Sequence, residues 1–137
     1  MNSKIQVSFD FDSTLSRKDV QDYAQSLINK GFEVWILTSR FEDCYQYPWY
    51  RGVGEHCHYD LHTVANTLDI PSERIIFTNM ADKADTILER DDFNPIWHLD
   101  DDYIELNIIH RKTNTKAFSV ISSSYKKKCN KELGLLK

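Results

Sequence analysis

The sequence predicts a three-layer α/β fold, because short apolar segments of strand length alternate with segments of helical periodicity. Most strand segments are continuous apolar runs, which are typical of parallel strands buried on both faces. The helical segments instead repeat apolar residues three and four positions apart. Together these observations predict a Rossmann-like arrangement, with a central parallel sheet of about five strands and helices on both faces.

Five strands are expected in order along the chain. Their apolar residues lie at 5–9, 34–37, 75–77, 96–99 and 117–121. Gln6 and Ser8 alternate with the apolar residues of the first segment, so we expect one face of that strand to be less deeply buried than in a usual central strand. His98 lies inside the fourth apolar segment and is interpreted as a hydrogen-bonded core histidine.

Four helices connect these strands. Their apolar residues, at helical spacing, are Val20, Ala24, Leu27 and Ile28; Leu61, Val64, Ala65 and Leu68; Ala84, Ile87 and Leu88; and Ile104, Ile108 and Ile109. Gly31 is placed to end the first helix. Asn79 or Asp82 could begin the third helix and Asp101 or Asp102 the fourth, because these residue types favour the N-cap position.

The composition is that of one globular domain over residues 1–137. Hydrophobic residues make up 41% and charged residues 28%, and no apolar run approaches the ~20 residues that a membrane span requires. The N-terminus has no apolar signal core. Three cysteines are an odd number and do not suggest a disulfide framework, so we expect a cytoplasmic protein that does not contact membranes. The oligomeric state is left open.

The formal net charge of −4 is unevenly distributed. Residues 1–109 carry 9 basic and 20 acidic side chains, whereas residues 110–137 carry 8 basic and 1 acidic. A basic C-terminal segment over 122–137 is interpreted as a solvated tail, with attraction of polyanions as the alternative.

Polar and charged side chains follow the predicted strands where each strand ends. Because the carboxyl ends of parallel strands meet at one edge of a sheet, we expect these side chains to lie together. They are Asp10 and Asp12 after the first strand, Thr38 and Ser39 after the second, Lys83 after the third, and Asp100 and Asp101 after the fourth.

This set has the chemistry of a phosphate site. Clustered carboxylates repel one another unless a cation neutralises them, and Mg²⁺ prefers such hard oxygen ligands. A carboxylate can act as a covalent nucleophile, and a second one two residues along an extended strand points to the same side and can transfer protons. A hydroxyl and an ammonium group suit the phosphoryl oxygens.

Four short motifs resemble those of the haloacid dehalogenase-like (HAD) superfamily. Residues 10–15 (DFDSTL) resemble its D-x-D-x-T-L first motif, although Ser13 stands where many members have glycine. Residues 36–40 (ILTSR) resemble the second motif, Lys83 the third, and residues 99–101 (LDD) the paired-acid form of the fourth. The motifs occur in the superfamily's order and span most of the chain.

The resemblance implies a role for each matching residue. Asp10 would be the nucleophile and Asp12 the general acid/base. Mg²⁺ would be held by Asp10, the backbone carbonyl of Asp12, and one or both of Asp100 and Asp101, with Asp101 favoured as the closer ligand. Phosphate-binding residues would be Thr38 and Ser39, together with Lys83, which would bridge the nucleophile and the phosphoryl group.

The resemblance also implies a small phosphatase without a large cap domain, since essentially one helix separates the first motif from the second strand. Loop 41–58 is the one candidate for a minimal lid. Members without caps often act on large or exposed phosphates, so a nucleic-acid end is an expected substrate, and a nucleotide is another if the loop closes. Tyr45, Tyr47, Trp49 and Tyr50 could stack on a base or pack on the body.

Other interpretations stay open at this point. A HAD-like module that binds Mg²⁺ and phosphate without catalysis would keep the same residues. A phosphoacceptor receiver domain also clusters Asp, Thr and Lys around Mg²⁺, but its motifs come in a different order. Cys44, His56, Cys57, His58 and His62 could hold zinc, although their spacing is irregular.

Overall fold

The structure is a computed structural model that describes residues 4–43 and 57–135. Its strands are β1 (Gln6–Phe9), β2 (Glu33–Thr38), β3 (Ile75–Phe77), β4 (Trp97–Asp100) and β5 (Lys116–Ser119). All five form one sheet in the order β3-β2-β1-β4-β5, and every neighbouring pair is parallel. The predicted parallel sheet of an α/β fold is confirmed.

Helices cover both faces of this sheet. They are α1 (Lys18–Asn29), α2 (Tyr59–Thr67), α3 (Lys83–Glu89), α4 (Tyr103–Lys112) and α5 (Tyr125–Glu132). Helices α1, α2 and α5 share one apolar core with one face of the sheet, whereas α3 and α4 pack on the other face. Within residues 4–43 and 57–135, no helix has the length and apolar character needed to cross a membrane.

The strand order places a crevice beside the central strand. The chain moves outward from β1 to β2 and β3, and then crosses over to β4 on the opposite side of β1. In sheets of this kind, ligands bind at the carboxyl ends of the strands where the order reverses. The predicted site residues after β1 and β4 flank this position.

The expectation of a less buried face on β1 is wrong at Ser8. Ser8 is fully buried, and its register partner on β4 is His98. The Ser8 hydroxyl lies 2.8 Å from His98 Nδ1, and this hydrogen bond compensates the buried polar group. Gln6, nearer the start of the strand, is half-buried as expected.

The chain after β5 forms a packed helix, so the interpretation of 122–137 as a solvated tail is wrong for residues 125–132. Tyr125 and Cys129 lie four positions apart and both are buried against the core. The indole N–H of Trp97 donates to the carbonyl of Cys129 at 3.1 Å, and the Tyr23 hydroxyl donates to Asn130 Oδ1 at 2.6 Å. The basic side chains of the segment remain exposed on the outer side of α5.

The cysteines differ from the prediction as well. Cys57 is disulfide-bonded, whereas Cys129 is a free and buried thiol. The interpretation that the cysteines form no disulfide is therefore wrong for Cys57. Most of the proposed lid, 44–56, lies outside the described residues, as do its aromatic side chains.

Candidate active site

A cavity of about 260 Å³ opens at the carboxyl ends of the strands. Its lining residues are Asp10, Asp12, Ser39, Lys83, Asp100, Asp101 and Asp102. Six of the seven predicted site residues therefore line one cavity. The seventh, Thr38, is fully buried at the end of β2, and its hydroxyl accepts a hydrogen bond from the backbone N–H of Arg40 at 3.2 Å. That bond leaves the Thr38 hydroxyl proton available for donation.

A tight turn over residues Phe11–Leu15 follows β1 and positions the first motif. The backbone N–H of Leu15 returns to the carbonyl of Asp10 at 3.0 Å, and the Thr14 hydroxyl donates to Asp10 Oδ2 at 3.4 Å. Ser13 has a φ of 59°, in the left-handed region that glycine adopts most readily. Glycine, which many members of the HAD superfamily have at this position, would adopt the same φ without steric cost.

Lys83 joins the two central carboxylates. Its ammonium lies 2.9 Å from Asp10 Oδ1 and 2.5 Å from Asp100 Oδ2, and all three side chains are almost completely buried. Two carboxylates share one ammonium, so this buried triad carries a net negative charge when all three groups are ionised. Such a surplus favours a proton or a cation at the site.

The two carboxyl groups respond differently to this environment. Burial raises the pKa of Asp10 to about 8, the Lys83 ammonium opposes the rise, and the neighbouring Asp100 carboxylate adds to it. Burial acts in the same direction on Asp100, but hydrogen bonding from His98 and the charge of Lys83 hold its pKa well below the ordinary value. The proton of the pair therefore belongs to Asp10.

A buried hydrogen-bonded chain supports Asp100 from the adjacent strand. His98 Nε2 lies 2.8 Å from Asp100 Oδ2, and His98 Nδ1 lies 2.8 Å from the Ser8 hydroxyl. Since an ionised carboxylate only accepts hydrogen bonds, Nε2 carries the proton and Nδ1 accepts from Ser8. The interpretation of His98 as a hydrogen-bonded core histidine is confirmed, but its contact with Asp100 was not foreseen.

Arg40 is the last residue of the second motif, and the sequence analysis gave it no role. Its guanidinium binds both carboxylate oxygens of Asp12, at 2.9 and 2.7 Å, and both oxygens of Asp60 on α2, at 2.9 and 2.8 Å. It also lies 5.0 Å from the centroid of the Phe11 ring. This paired arrangement holds the Asp12 side chain at the cavity edge, where it is 57% exposed.

A second missed residue is Glu105, which supports Lys83 from helix α4. Asp82 occupies the N-cap position of α3, as one of the two predicted candidates, but its side chain makes no capping hydrogen bond. Instead, Glu105 Oε1 accepts from the backbone N–H of Lys83 at 3.0 Å. The cap of α4 follows the prediction, because the side chain of Asp102 accepts from the N–H groups of Ile104 and Glu105.

The donor set fits a hard divalent cation. Asp10, Asp100 and Asp101 each offer a carboxylate oxygen, and these atoms lie within 4.8 Å of one another. Oxygen-only ligands and a surplus of negative charge are the conditions that Mg²⁺ favours. The Asp12 carboxylate is not in this group, since Arg40 binds it. The group includes both acids of the fourth motif.

The zinc interpretation gains no support from the described part of the chain. There, the only group of three or more potential ligands is the aspartate group just described. Cys57 is disulfide-bonded, and the two ring nitrogens of His58 lie near Arg40 and near the carbonyls of Phe41 and Glu42. Cys44 and His56 lie outside the described residues.

Comparisons of the chain with family models, curated proteins and solved structures give no match. The class of protein is therefore described by its structure: it is a parallel α/β protein with a carboxylate–lysine site in the crevice where the strand order reverses. The resemblance to the HAD superfamily rests on the four motifs alone.

Proposed function

We propose that this protein is a Mg²⁺-dependent phosphohydrolase of the HAD type, acting on phosphomonoesters through an aspartyl-phosphate at Asp10. The observation that carries the proposal is the buried Asp10–Lys83–Asp100 triad with Asp101 beside it. A nucleophile, an ammonium group and a cation site then lie at one crevice. A purely structural ion pair would not require the third carboxylate.

The reaction would proceed in two steps. The Asp10 carboxylate attacks phosphorus, the bond from phosphorus to the ester oxygen breaks, and Asp12 protonates that oxygen. Because Arg40 binds both Asp12 oxygens in the structure, Asp12 would first release one of them and take up a proton from water as the substrate enters. Asp12 then takes a proton from a water that attacks the phosphoryl group. The bond from phosphorus to Asp10 breaks, inorganic phosphate leaves, and both carboxyl groups return to their starting states.

The remaining residues would hold the phosphoryl group. Lys83 would donate to oxygens that gain charge in the transition state, and Ser39, which lines the cavity, can add a hydroxyl donor. Thr38 is buried behind the cavity lining and would have to become exposed to bind phosphate as the motif implies. Arg40 orients Asp12 at the cavity edge. Asp10, Asp100 and Asp101 would hold Mg²⁺, which supplies charge neutralisation and keeps the nucleophilic carboxylate ionised when bound.

The substrate class we propose is a nucleotide or the phosphorylated end of a nucleic acid. Exposed cations near the carboxyl edge of the sheet support this choice: Lys126, Lys127 and Lys128, in the first turn of α5, form no ion pair with a carboxylate of the described residues. Unpaired cations attract polyanions over several ångströms. The first turn of α5 follows closely after Val120, whose N–H donates to the Asp100 carbonyl.

The direct test is release of phosphate from p-nitrophenyl phosphate by the purified chain, with Mg²⁺ and with EDTA. We expect Mg²⁺-dependent turnover that Asp10→Asn abolishes. Asp91→Asn, an exposed residue outside the site cavity, is the matched control and should keep full activity. If no phosphoester in a panel of nucleotides, phosphorylated oligonucleotides, phosphosugars and phosphopeptides is hydrolysed while Mg²⁺ still binds, the non-catalytic binding module replaces this proposal.

The role of Asp12 can be tested through the leaving group. Phenyl phosphate needs protonation of its leaving oxygen more than p-nitrophenyl phosphate does, so Asp12→Asn should lower kcat about 10²- to 10⁴-fold for phenyl phosphate. The loss for p-nitrophenyl phosphate should be smaller. Equal losses with both substrates would contradict a general acid at this position.

A further inference from the structure

We propose that Ser8 and His98 are positioning residues for Asp100, and that their hydrogen-bonded chain sets the affinity of the aspartate group for its cation. The inference deepens the proposed function, because it concerns the same site, but it rests on metal binding and not on catalysis. It starts from two polar side chains that the proposed reaction does not use.

The placement of these side chains follows from strand geometry. Ser8 and His98 are register partners on neighbouring parallel strands. Asp100 lies two residues after His98 at the end of β4, and Asp10 lies two residues after Ser8, directly after β1, where its N–H still bonds to the Leu99 carbonyl. Alternate residues of an extended chain point to the same face. The sheet therefore places two polar pairs one behind the other, with the carboxylates at the edge and the Ser8–His98 pair in the interior.

The cost of burying this pair indicates a role beyond packing. Ser8 and His98 are both completely buried, on the central strand β1 and its neighbour β4. Apolar residues of similar volume would fill the same space without polar groups that need exact partners. The hydrogen bonds of Ser8 and His98 end at the Asp100 carboxylate, which belongs to the aspartate group.

The hydrogen bonds on the two Asp100 oxygens show how Ser8 and His98 affect the orientation of this carboxylate. Oδ2 accepts from His98 Nε2 and from Lys83 Nζ, which uses both of its lone pairs. Oδ1 accepts from one donor, the backbone N–H of Asp102 at 3.0 Å. One lone pair of Oδ1 is left for a cation, and the rotation of the carboxylate that presents it is held by His98. Ser8 in turn holds the imidazole in the tautomer that donates from Nε2.

The experiment measures the Mg²⁺ dissociation constant by calorimetry on the purified chain without substrate. Partners that orient metal ligands typically contribute 10- to 100-fold in affinity. We expect about 10-fold weaker binding or more for His98→Leu, and about 3- to 10-fold weaker binding for Ser8→Ala. His98→Gln should restore most of the affinity, because its amide places a donor near the position of Nε2.

Thr115→Val is the matched control, since Thr115 is a buried hydroxyl whose bond to the Pro95 carbonyl lies away from the site. It should lower the free energy of unfolding and leave the Mg²⁺ dissociation constant unchanged. Where His98→Leu does not fold, the Mg²⁺ affinity of Ser8→Ala is the deciding measurement, and His98→Gln serves as the conservative variant that should keep most of the affinity.

Wild-type Mg²⁺ affinity in both folded Ser8→Ala and His98→Leu proteins, with loss of stability alone, would overturn the inference. Where His98→Leu does not fold, wild-type affinity in Ser8→Ala alone overturns it. The result is separable from the phosphatase proposal. A chain without turnover whose Mg²⁺ affinity depends on Ser8 would refute the activity and keep the positioning role.

Discussion

Asp10 combines two demands that conflict at the scale of a single residue. As the proposed nucleophile it must be ionised, yet its burial beside Asp100 favours the protonated form. Lys83 is shared with Asp100 and cannot neutralise both carboxylates. A cation at the site resolves the conflict, so the affinity for Mg²⁺ should increase as the pH rises and the competing proton is lost.

The raised pKa of Asp10 predicts how stability depends on pH when no metal is present. An aspartate has a pKa near 3.8 in the unfolded chain and about 8 here, so folding retains a proton that the unfolded chain releases in between. The free energy of unfolding in EDTA should therefore fall as the pH rises from about 4 to 8. Between pH 5 and 8 we expect this residue to contribute a loss of about 2–4 kcal/mol.

Asp10→Asn checks this effect by urea denaturation in EDTA at pH 5 and pH 8. The variant should match the wild type at pH 5 and exceed its stability at pH 8, because the amide does not ionise. Parallel pH profiles for the two proteins would show that Asp10 is ionised throughout. Saturating Mg²⁺ should remove most of the difference at pH 8.

At the scale of elements, the turn between β3 and α3 is strained where it meets the site. Asn79 and Met80 have φ values of 55° and 66°, although neither is glycine. Their N–H groups bond to the carbonyls of Arg40 and Ser39, which ties the turn to the end of β2. These hydrogen bonds hold two residues of the second motif in place, and they require the positive φ values of the turn.

Met80→Gly should stabilise the protein by about 0.5–1 kcal/mol. The side chain is 65% exposed and loses little packing, while glycine adopts a positive φ without steric cost. Met80→Ala keeps the strained backbone and serves as the control, with an expected change near zero. Chemical denaturation measures both. A loss of stability in the glycine variant would mean that the Met80 side chain contributes packing.

Helix α5 shows where local sequence patterns mislead. Four lysines among its eight residues suggested solvent on all sides, yet two of its remaining side chains complete the core. We expect Tyr125→Ala to cost about 3 kcal/mol of unfolding free energy, and Lys127→Ala to change it by less than about 0.5 kcal/mol. Thermal or urea denaturation compares the two, and similar effects would contradict a packed helix.

The sequence could predict what depends on periodicity and on strand ends. The five strands, four of the helices and the set of residues at the carboxyl edge all follow from apolar spacing and parallel topology. The sequence could not predict the contacts of Ser8 with His98, of Glu105 with Lys83 and of Arg40 with Asp60. These partners are distant along the chain, and the register between neighbouring strands is not visible in one segment. The signal that was present for Ser8 and His98 is a shared pattern, a polar residue two positions before an aspartate.

At the scale of the whole molecule, charge is separated by position. The carboxylates of the site lie at the carboxyl edge of the sheet. Lys126, Lys127 and Lys128, which form no ion pair with a carboxylate of the described residues, lie in the first turn of α5, the helix that follows β5 at that edge. A phosphate end bound at the aspartate group could place the rest of an anionic chain along this basic side. The separation also explains how a chain of net charge −4 can attract a polyanion.

This arrangement predicts a salt-dependent preference for longer substrates. Replacing Lys126, Lys127 and Lys128 by Glu should raise KM for a phosphorylated oligonucleotide about 10-fold or more and weaken its dependence on salt concentration. KM for a mononucleotide should stay nearly unchanged. Lys4→Glu combined with Lys30→Glu, two exposed lysines elsewhere, is the charge control. An equal effect of both sets on KM would contradict a specific basic surface.

The alternate spacing of polar residues on β1 and β4 also affects how the chain reaches its native state. A shift of one residue between these strands would turn the side chains of one strand away from those of the other. Ser8 would lose His98, and Asp10 would lose its place beside Asp100. A cation that needs both carboxylates would then bind the native pairing and no shifted one. Raising the metal concentration would therefore increase the population of the native strand register over the shifted ones during folding.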